Sequence, residues 1–115
     1  MAKSTFLNRA QKVAVSTTDE VLELPGIPSN KQVCYDRITA LNESHDVTSV
    51  QIGLKDGASE YILDGKLAPG SNCPFSVQGK IFAPGNLRPF VRYVGATAGD
   101  KVSLTAYGYI SDMTD

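Results

Sequence analysis

One segment of the chain carries the residue types of a nucleophilic triad. His45 is the only imidazole, and it stands between Ser44 and Asp46 in the polar stretch 42–46. In such triads histidine takes the proton of the attacking hydroxyl, but the three residues come together from distant parts of the chain. No G-x-S-x-G motif accompanies this histidine. The composition of 42–46 therefore predicts a solvated loop between two strands, and an enzyme is the function class that the sequence supports least.

A second candidate is the glycine-containing stretch 95–101, which invites comparison with a phosphate-binding loop. Its order departs from G-x-x-x-x-G-K-[ST], because Asp100 stands between Gly99 and Lys101 and Val102 follows the lysine. A phosphate cradle also needs the N-terminus of a helix, whereas a strand pattern follows here. We interpret 95–101 as the loop that enters the last strand.

The two cysteines do not make a metal site with the single histidine. Cys34 and Cys73 lie 39 positions apart, and with His45 they do not match the usual spacing of zinc ligands. The N-terminus shows no apolar stretch typical of a secretory signal, which favours a reducing compartment and free thiols. A Cys34–Cys73 disulfide is the alternative. We predict no catalytic residues, no metal and no cofactor.

Length and charge exclude several other classes. The chain has 115 residues, with 11 basic and 12 acidic side chains. This length fits one domain. A net charge of −1 argues against a nucleic-acid binder, whose binding surface is usually strongly basic. No apolar run approaches the roughly 20 residues that span a bilayer, so no membrane partner is expected.

Turn residues divide the sequence into short segments. Ten glycines and six prolines recur along the chain, and the Pro-Gly pairs at 25–26, 69–70 and 84–85 predict type II turns. Asp56-Gly57 predicts a hairpin turn, and Asp64-Gly65 is a second candidate.

Between these turns the apolar residues alternate, which predicts eight or nine strands. Their approximate positions are 13–15, 21–24, 31–41, 47–55, 59–63, 75–77, 81–83, 89–94 and 102–110. The one helical candidate is 5–14. Short connections exclude parallel βαβ units, and the spacing favours an all-β fold, a single antiparallel β-sandwich of jelly-roll type.

The last predicted strand is the clearest. Val102, Leu104 and Ala106 share one face with Ile110, and Tyr107 and Tyr109 lie together on the other face. If the first set faces the core, both tyrosines point outward, where aromatic side chains can stack on sugars or fill a subunit interface. The alternative is a central strand that is covered on both faces.

The third predicted strand is assigned two faces in the same way. One face of 31–41 has Val33, Tyr35, Arg37 and Thr39, and the other has Cys34, Asp36, Ile38 and Ala40.

The first 18 residues differ in character from the rest. They contain Lys3, Arg9 and Lys12, no acidic residue, and little that could anchor them to a core before residue 13. We predict an N-terminal arm, 1–18, ahead of a β-sandwich domain, 19–115. A sharper hypothesis is that the arm docks on a neighbouring subunit.

The charges are distributed unevenly along the chain. The stretch 65–99 has no acidic residue but contains Lys66, Lys80, Arg88 and Arg92, whereas 19–64 holds nine of the twelve acidic residues. Opposite patches of this kind suit head-to-tail or side-by-side packing of identical subunits. The alternative is that folding intermixes these strands and cancels the asymmetry.

The C-terminal half has a family resemblance. Residues 90–110 read FVRYVGATAGDKVSLTAYGYI, in which an Arg-aromatic strand leads into a Gly-x-Thr-x-Gly-Asp loop and the final strand ends in an aromatic-Gly-Tyr step. With VTSVQIGL at 47–54 and the Ala83-Pro84-Gly85 turn, this stretch resembles the small all-β virion structural proteins of tailed bacteriophages. The resemblance covers about 47–110.

The resemblance implies a non-enzymatic virion protein, either a capsid decoration (cement) protein or a small head or tail accessory subunit. Such proteins often assemble as trimers and bridge capsid subunits, and an N-terminal arm on a neighbour is common in them. It therefore implies identical subunits and capsid proteins as partners, and a location in the virion after synthesis in the host cytoplasm.

Nine residues are candidates for the subunit interface: Lys3, Phe6, Arg9, Lys12, Arg88, Arg92, Tyr93, Tyr107 and Tyr109. The alternative function is a carbohydrate- or surface-binding module. It would use the five of these between Arg88 and Tyr109 as a shallow aromatic and basic surface. The absence of Trp counts against it, since Trp offers the largest stacking face.

Overall fold

The computed structural model describes residues 4–14, 19–24, 31–44, 47–67, 70, 73–84 and 87–112. Eight strands account for most of these residues. They are β1 (Ser4–Ala14), β2 (Asp19–Glu23), β3 (Lys31–Asn42), β4 (Ser49–Asp56), β5 (Ser59–Leu67), β6 (Phe75–Pro84), β7 (Arg88–Val94) and β8 (Lys101–Asp112).

The strands form two four-stranded sheets. Sheet 1 has the order β1-β8-β3-β6, and sheet 2 has the order β2-β7-β4-β5. Every neighbouring pair is antiparallel. Successive strands alternate between the sheets except at the β4–β5 hairpin, which is the connectivity of a jelly roll. The predicted all-β, jelly-roll-like sandwich is confirmed.

The core fills the space between the sheets, and strands of both sheets contribute to it by alternation. On β8, Val102, Leu104 and Ala106 are fully buried, and on β4 the alternate residues Val50, Ile52 and Leu54 are buried. These inner faces pack against each other in one cluster. The predicted core faces of these two strands are correct.

The predicted faces of β3 are wrong beyond its midpoint. A β-bulge lies between Tyr35 and Arg37 in the pairing of β3 with β8, and the register with β6 shifts at the same place. The extra residue, Asp36, is exposed, and after it Ile38 rather than Arg37 continues the buried face that begins with Val33 and Tyr35. Simple alternation misses this reversal because a bulge inserts one residue without a partner.

A second bulge overturns the predicted Asp64-Gly65 turn. The pairing of β5 with β4 continues to Leu67 and shifts by one residue between Ile52 and Gly53. The carboxylate Oδ1 of Asp64 accepts a hydrogen bond from the Gly65 N–H at 2.8 Å. The Asp64-Gly65 dipeptide therefore lies within β5, just after the bulge, and the chain does not reverse there.

Each bulge packs against a glycine on an adjacent strand. A Cβ on Gly108 of β8 would collide with the Cys34 carbonyl and lie 2.8 Å from the Cα of Tyr35, beside the β3 bulge. A Cβ on Gly53 of β4 would collide with the Tyr61 carbonyl beside the β5 bulge. Only glycine allows the backbones to approach this closely.

The one helical candidate, 5–14, is not a helix. These residues belong to β1, which pairs with β8 along its whole length, from Ser4 opposite Ser111 to Ala14 opposite Lys101. A short helix is marginal by itself, so pairing with an available strand edge decides the conformation.

The turn predictions have mixed outcomes. The hairpin at Asp56-Gly57 is confirmed, with Asp56 paired with Ser59 and a positive φ of 58° at Gly57. The segments predicted at 75–77 and 81–83 form one strand, β6, with a positive φ at Gly79. The predicted type II turns at 25–26, 69–70 and 84–85 fall wholly or partly outside the described residues.

Candidate functional site: interaction faces

The outer face of sheet 1 carries the two tyrosines of the last strand. Tyr109 is 49% exposed and Tyr107 is half-buried, while the alternate residues of β8 face the core. The guanidinium of Arg37, on β3, lies 5.9 Å from the centre of the Tyr107 ring. Cys34 is the register partner of Tyr109. We call Tyr107, Tyr109, Arg37 and Cys34 the tyrosine face.

Beyond the tyrosine face, the outer surface of sheet 1 becomes polar. The hydroxyls of Thr39 and Ser76 are hydrogen-bonded at 2.8 Å, and Thr105 is the register partner of Thr39. The sheet therefore presents an aromatic end and a hydroxyl end, of which the aromatic end offers more apolar area.

Tyr93 does not join this face, which corrects the expectation for that residue. Its side chain is 1% exposed and points between the sheets. The phenol donates a hydrogen bond to the Ser103 carbonyl at 2.9 Å. Burial raises the pKa of Tyr93 well above its ordinary value, although backbone hydrogen bonds at Leu41 and Ser103 act in the opposite direction. The residue belongs to the core.

Arg88 and Arg92 lie on the outer face of sheet 2, away from the tyrosines. Arg92 Nη2 approaches Glu60 Oε2 at 2.6 Å. Arg88 Nη2 and Lys55 Nζ approach the carboxylate of Glu23 at 3.3 Å and 3.1 Å. The Arg92 guanidinium donates a hydrogen bond to Glu60, and this bond lowers the pKa of the Glu60 carboxyl and keeps it ionised. The charge of Arg92 is therefore balanced within the chain.

These charges cover an aromatic ring. Phe90 is fully buried but lies outside the core cluster between the sheets. The Arg92 guanidinium lies 5.6 Å and Lys55 Nζ 5.8 Å from its ring centre. Both distances are within the range of cation–π attraction. We call Glu23, Lys55, Glu60, Arg88 and Arg92 the charged face.

Strand order removes much of the charge asymmetry seen in the sequence. β7, which bears Arg88 and Arg92, lies between β2 and β4. Two cations of the acid-free stretch, Arg88 and Arg92, therefore meet acidic residues of the other half, Glu23 and Glu60, within one chain. On the charged face, folding thus intermixes strands of the two halves and cancels the asymmetry, which is the alternative that the sequence left open.

The remaining interface candidates are in the segment 1–18 that was predicted as an arm, of which Ser4–Ala14 forms strand β1 of sheet 1. Lys3 lies outside the described residues. Along β1, Phe6 is the register partner of Tyr109, Arg9 of Ala106 and Lys12 of Ser103. The structure describes the backbone of these three residues but not their side chains. The backbone of Phe6 is thus adjacent to the tyrosine face.

The structure separates the five residues of the carbohydrate-binding alternative. Tyr107 and Tyr109 lie on sheet 1, Arg88 and Arg92 on sheet 2, and Tyr93 between them. No shallow surface combines them. Arg37 provides the cation beside the tyrosines instead, and the β3 bulge explains why its outward position escaped prediction.

The polar segment around the single histidine is described only in part. His45 and Asp46 lie outside the described residues. Ser44 Oγ accepts a hydrogen bond from the Lys101 N–H at 3.2 Å, and the Ser44 N–H donates to Asn42 Oδ1 at 2.8 Å. The first bond attaches the segment after β3 to the start of β8, and the second is local to the end of β3.

Asp100 organises the glycine-containing loop. Its side chain is 1% exposed, and Oδ2 accepts hydrogen bonds from Asn42 Nδ2 and from the Thr97 N–H, both at 3.0 Å. The Asp100 N–H donates to the Thr97 carbonyl at 3.0 Å. The Asp100 carboxylate closes the loop 95–101 just before β8 begins. This agrees with the interpretation of 95–101 as the loop that enters the last strand.

The cavities among the described residues are small or open. One at the end of the sandwich, beside Tyr93 and Cys73, has a volume of about 10 Å³, which is room for one water molecule. A groove of about 170 Å³ follows β4 and β5 between Ser49 and Leu67. Neither is lined by a histidine or a pair of carboxylates.

Within the described ranges, no three metal-ligating side chains come together. Cys34 and Cys73 are free thiols, half-buried and exposed respectively. The described part contains no helix that is long and apolar enough to cross a membrane.

Sequence reasoning missed one apolar surface. β5 is exposed along its entire length, and it carries most of the exposed large apolar side chains of the described part: Tyr61, Ile62, Leu63 and Leu67. The three consecutive apolar residues 61–63 were the available signal, because one face of a strand cannot bury three neighbours.

Several solved structures share this fold at low sequence identity. A chain of the acid-stable capsid of Helicobacter pylori bacteriophage KHP30 aligns with a TM-score of 0.62 at 16% identity, over 96% of this chain and 93% of that one. The coat protein of Tobacco streak virus gives 0.54 at 16% identity, over 95% and 85%. A pilus protein of Bacillus endospore appendages gives 0.56 at 9% identity, over 97% and 89%.

Sequence comparisons add no family. No protein-family model matches the chain, and no curated protein sequence matches it. The similarity to the solved structures therefore concerns the fold.

Proposed function

We propose that this protein is a non-enzymatic structural subunit of a virus particle, and more narrowly of a tailed bacteriophage. It decorates or stabilises the capsid, or another part of the particle, through contacts between subunits. Its partners are identical chains, with a trimer favoured, and the major capsid or other virion proteins. The virion is its final location.

The observation that carries the proposal is the jelly roll itself. The likeness to a phage capsid chain extends over 96% of this chain and 93% of the other, so each consists of little besides this fold. The sequence resemblance over about 47–110 to small phage virion proteins supports the same assignment independently. Fold likeness alone does not establish a function, so the assignment depends on assembly.

The tyrosine face supports a role in contacts. Tyr109 is exposed on the outer surface of a rigid sheet, and Arg37 lies against the neighbouring Tyr107 ring. Tyrosine and arginine are the residue types most enriched at the energetic centres of protein interfaces. By contrast, Arg88 and Arg92 are held in ion pairs within the chain, which reduces their availability to a partner.

The first test is the mass of the purified protein, measured by light scattering at several concentrations and salt levels. A discrete closed oligomer supports the proposal. A chain that stays a 12.3 kDa monomer and also fails to bind purified capsids of its virus contradicts it.

The arm requires a test that respects its place in the sheet. Deleting 1–12 would remove most of β1, which is paired with β8, and would expose that strand edge. The variant Arg9→Gln/Lys12→Gln retains the backbone and removes the charges. We expect weaker assembly at unchanged far-UV circular dichroism, with Lys31→Gln in β3 as the matched control. Unchanged assembly would exclude the arm charges from the interface.

A further inference from the structure

β5, one of the two edge strands of sheet 2, combines length with exposed apolar side chains, which soluble proteins normally avoid at a sheet edge. β5 is the terminal strand of its sheet, paired only with β4 among the described strands. All nine of its residues are exposed. Leu67 is 82% exposed and Tyr61 57%. A long edge strand with exposed apolar side chains is a template for pairing with another strand.

The opposite edge of the same sheet is protected. β2 has five residues, three of which are the acidic Asp19, Glu20 and Glu23. Short length and charge are the usual means of blocking association at an edge. β5 also carries the charged residues Glu60, Asp64 and Lys66, but it is longer by four residues and has three consecutive apolar residues at its centre, so the two edges of sheet 2 are not equivalent.

The bulge in β5 determines which side chains share a face. Ile62 and Leu67 are the register partners of Gly53 and Ser49, whereas Tyr61 and Lys66 are the partners of the buried residues Leu54 and Val50. Ile62 and Leu67 therefore lie on the outer face of sheet 2 with Glu60, which pairs with Lys55. Tyr61 and Lys66 lie on the opposite face.

We propose that β5 binds β5 of a second copy of this chain, antiparallel and about a twofold axis between Leu63 and Asp64. The two copies of sheet 2 then form one continuous sheet. The inference rests on the proposed function, since it names a contact through which the subunits assemble. A twofold contact joins two monomers, or joins two trimers, and is distinct from the contact that would close a trimer.

Self-complementarity is the reason for choosing a second copy. In the proposed antiparallel register, residues on the same face of the sheet lie opposite each other. Tyr61 is opposite Lys66 of the second copy, and Ile62 is opposite its Gly65. It places Ile62 diagonally beside Leu67 of the second copy, which brings together the exposed apolar side chains that lie on the outer face of the two strands. A shift of one residue would put unlike faces together.

Charge selects the antiparallel arrangement. In this register Glu60 lies opposite Leu67 of the second copy and Asp64 opposite Leu63, so no acidic residue opposes another. In-register parallel pairing would place Glu60, Asp64 and Lys66 each beside its own copy, and like charges directly opposite are destabilising. Pairing of β5 with the acidic β2 of another copy would also bring carboxylates together.

Substitution at the edge gives the first test. In Ile62→Lys/Leu67→Lys both side chains are already exposed, so the fold is retained, which circular dichroism verifies. Sedimentation should show at least a tenfold rise in the dissociation constant of the twofold contact. Val21→Lys, at an exposed apolar residue on β2, is the control and should assemble as the parent does. Equal assembly of the edge variant and the parent overturns the inference.

Crosslinking tests the geometry. In a Cys34→Ser/Cys73→Ser background, Leu63→Cys should be joined to its own copy by a short bismaleimide, because residue 63 is beside the axis. Ser59→Cys should not, because its copy lies about nine residues away along the strands, or about 30 Å. Equal crosslinking at both positions, or none at 63, overturns the twofold pairing.

The outcomes separate this inference from the proposed function. A protein that assembles, or binds capsids, without crosslinking at 63 retains its structural role by way of another surface. A monomer that binds capsids through β5, with loss of binding in Ile62→Lys/Leu67→Lys, shows that a different protein occupies the edge and overturns the second copy as its partner. A monomer without capsid binding contradicts both.

Discussion

The hydroxyl of Tyr93 donates a hydrogen bond to the backbone carbonyl of Ser103 at 2.9 Å, and this bond connects the two sheets. Tyr93 lies on β7 of sheet 2, and Ser103 lies on β8 of sheet 1. Most of the contact between the sheets is apolar packing, which has little directional preference. A buried polar bond across the layer therefore helps to fix their relative position.

Removing this bond should weaken the fold by a measurable amount. We expect Tyr93→Phe to lower the free energy of unfolding by about 1 kcal/mol, because the ring is retained while the hydrogen bond is lost. Urea denaturation followed by circular dichroism measures the change. Tyr107→Phe, on the outer face, is the control and should change stability little. An equal loss of unfolding free energy in both variants would show that the hydrogen bond between Tyr93 and Ser103 does not stabilise the fold more than an outer-face hydroxyl does.

The same phenol predicts loss of stability at alkaline pH. Burial raises the pKa of Tyr93 in the folded state, whereas an unfolded tyrosine titrates near pH 10. Stability is therefore fully present below about pH 10 and falls as the pH rises above it, since the unfolded chain releases this proton more readily.

Unfolding measured across alkaline pH tests this linkage. The slope of unfolding free energy against pH above about pH 10 should be steeper for the parent than for Tyr93→Phe, which has no phenol to ionise at this position. Equal slopes in the two proteins would mean that the loss of stability at alkaline pH comes from ionisable groups other than Tyr93.

The buried carboxylate of Asp100 predicts a larger effect. In Asp100→Ala the Asn42 amide and the Thr97 N–H both lose their acceptor. We expect a loss of about 2 kcal/mol, because the buried Asn42 amide, left without its acceptor, retains its desolvation cost, and the part-buried Thr97 N–H adds less. Thermal unfolding at neutral pH measures it. Asp36→Ala, at the exposed bulge of β3, is the matched control, and a comparable loss there would contradict the role given to Asp100.

A single methyl group at the β3 bulge should be costly. In Gly108→Ala the new Cβ collides with the Cys34 carbonyl, which is backbone and cannot move aside by rotation. We expect destabilisation of about 1–3 kcal/mol or a shifted strand register. Gly65→Ala on β5 is the comparison, since its nearest new contact is 3.2 Å, to the Val50 carbonyl. Denaturant midpoints for both variants, with near-UV spectra, provide the measurement.

Sequence reasoning failed where interactions between strands decided the outcome. The Asp64-Gly65 dipeptide has the local signature of a turn, and the pairing of β5 with β4 overrides it. Arg37 alternates with Tyr35 in sequence, and the bulge at Asp36 places it on the opposite face. A bulge depends on how two strands align, so neither strand reveals it alone.

The candidate interface divides for the same kind of reason. Tyr107 and Tyr109 lie two residues apart on one strand, so the period of a strand placed them together on one face. Tyr93, Arg88 and Arg92 are on β7, and no local pattern says which sheet contains β7 or what covers its outer side. The ion pairs of the charged face exist because β2 and β4 flank that strand.

The sequence by itself determined the all-β class, the approximate positions of most strands, and the alternation that makes Val102, Leu104 and Ala106 core residues, because strand period and turn chemistry are local properties of the chain. Only the tertiary structure decided strand order, the two bulges, the burial of Tyr93 and the exposure of β5. These depend on which strands become neighbours, and neighbours are chosen by packing and backbone pairing between residues that are distant in sequence.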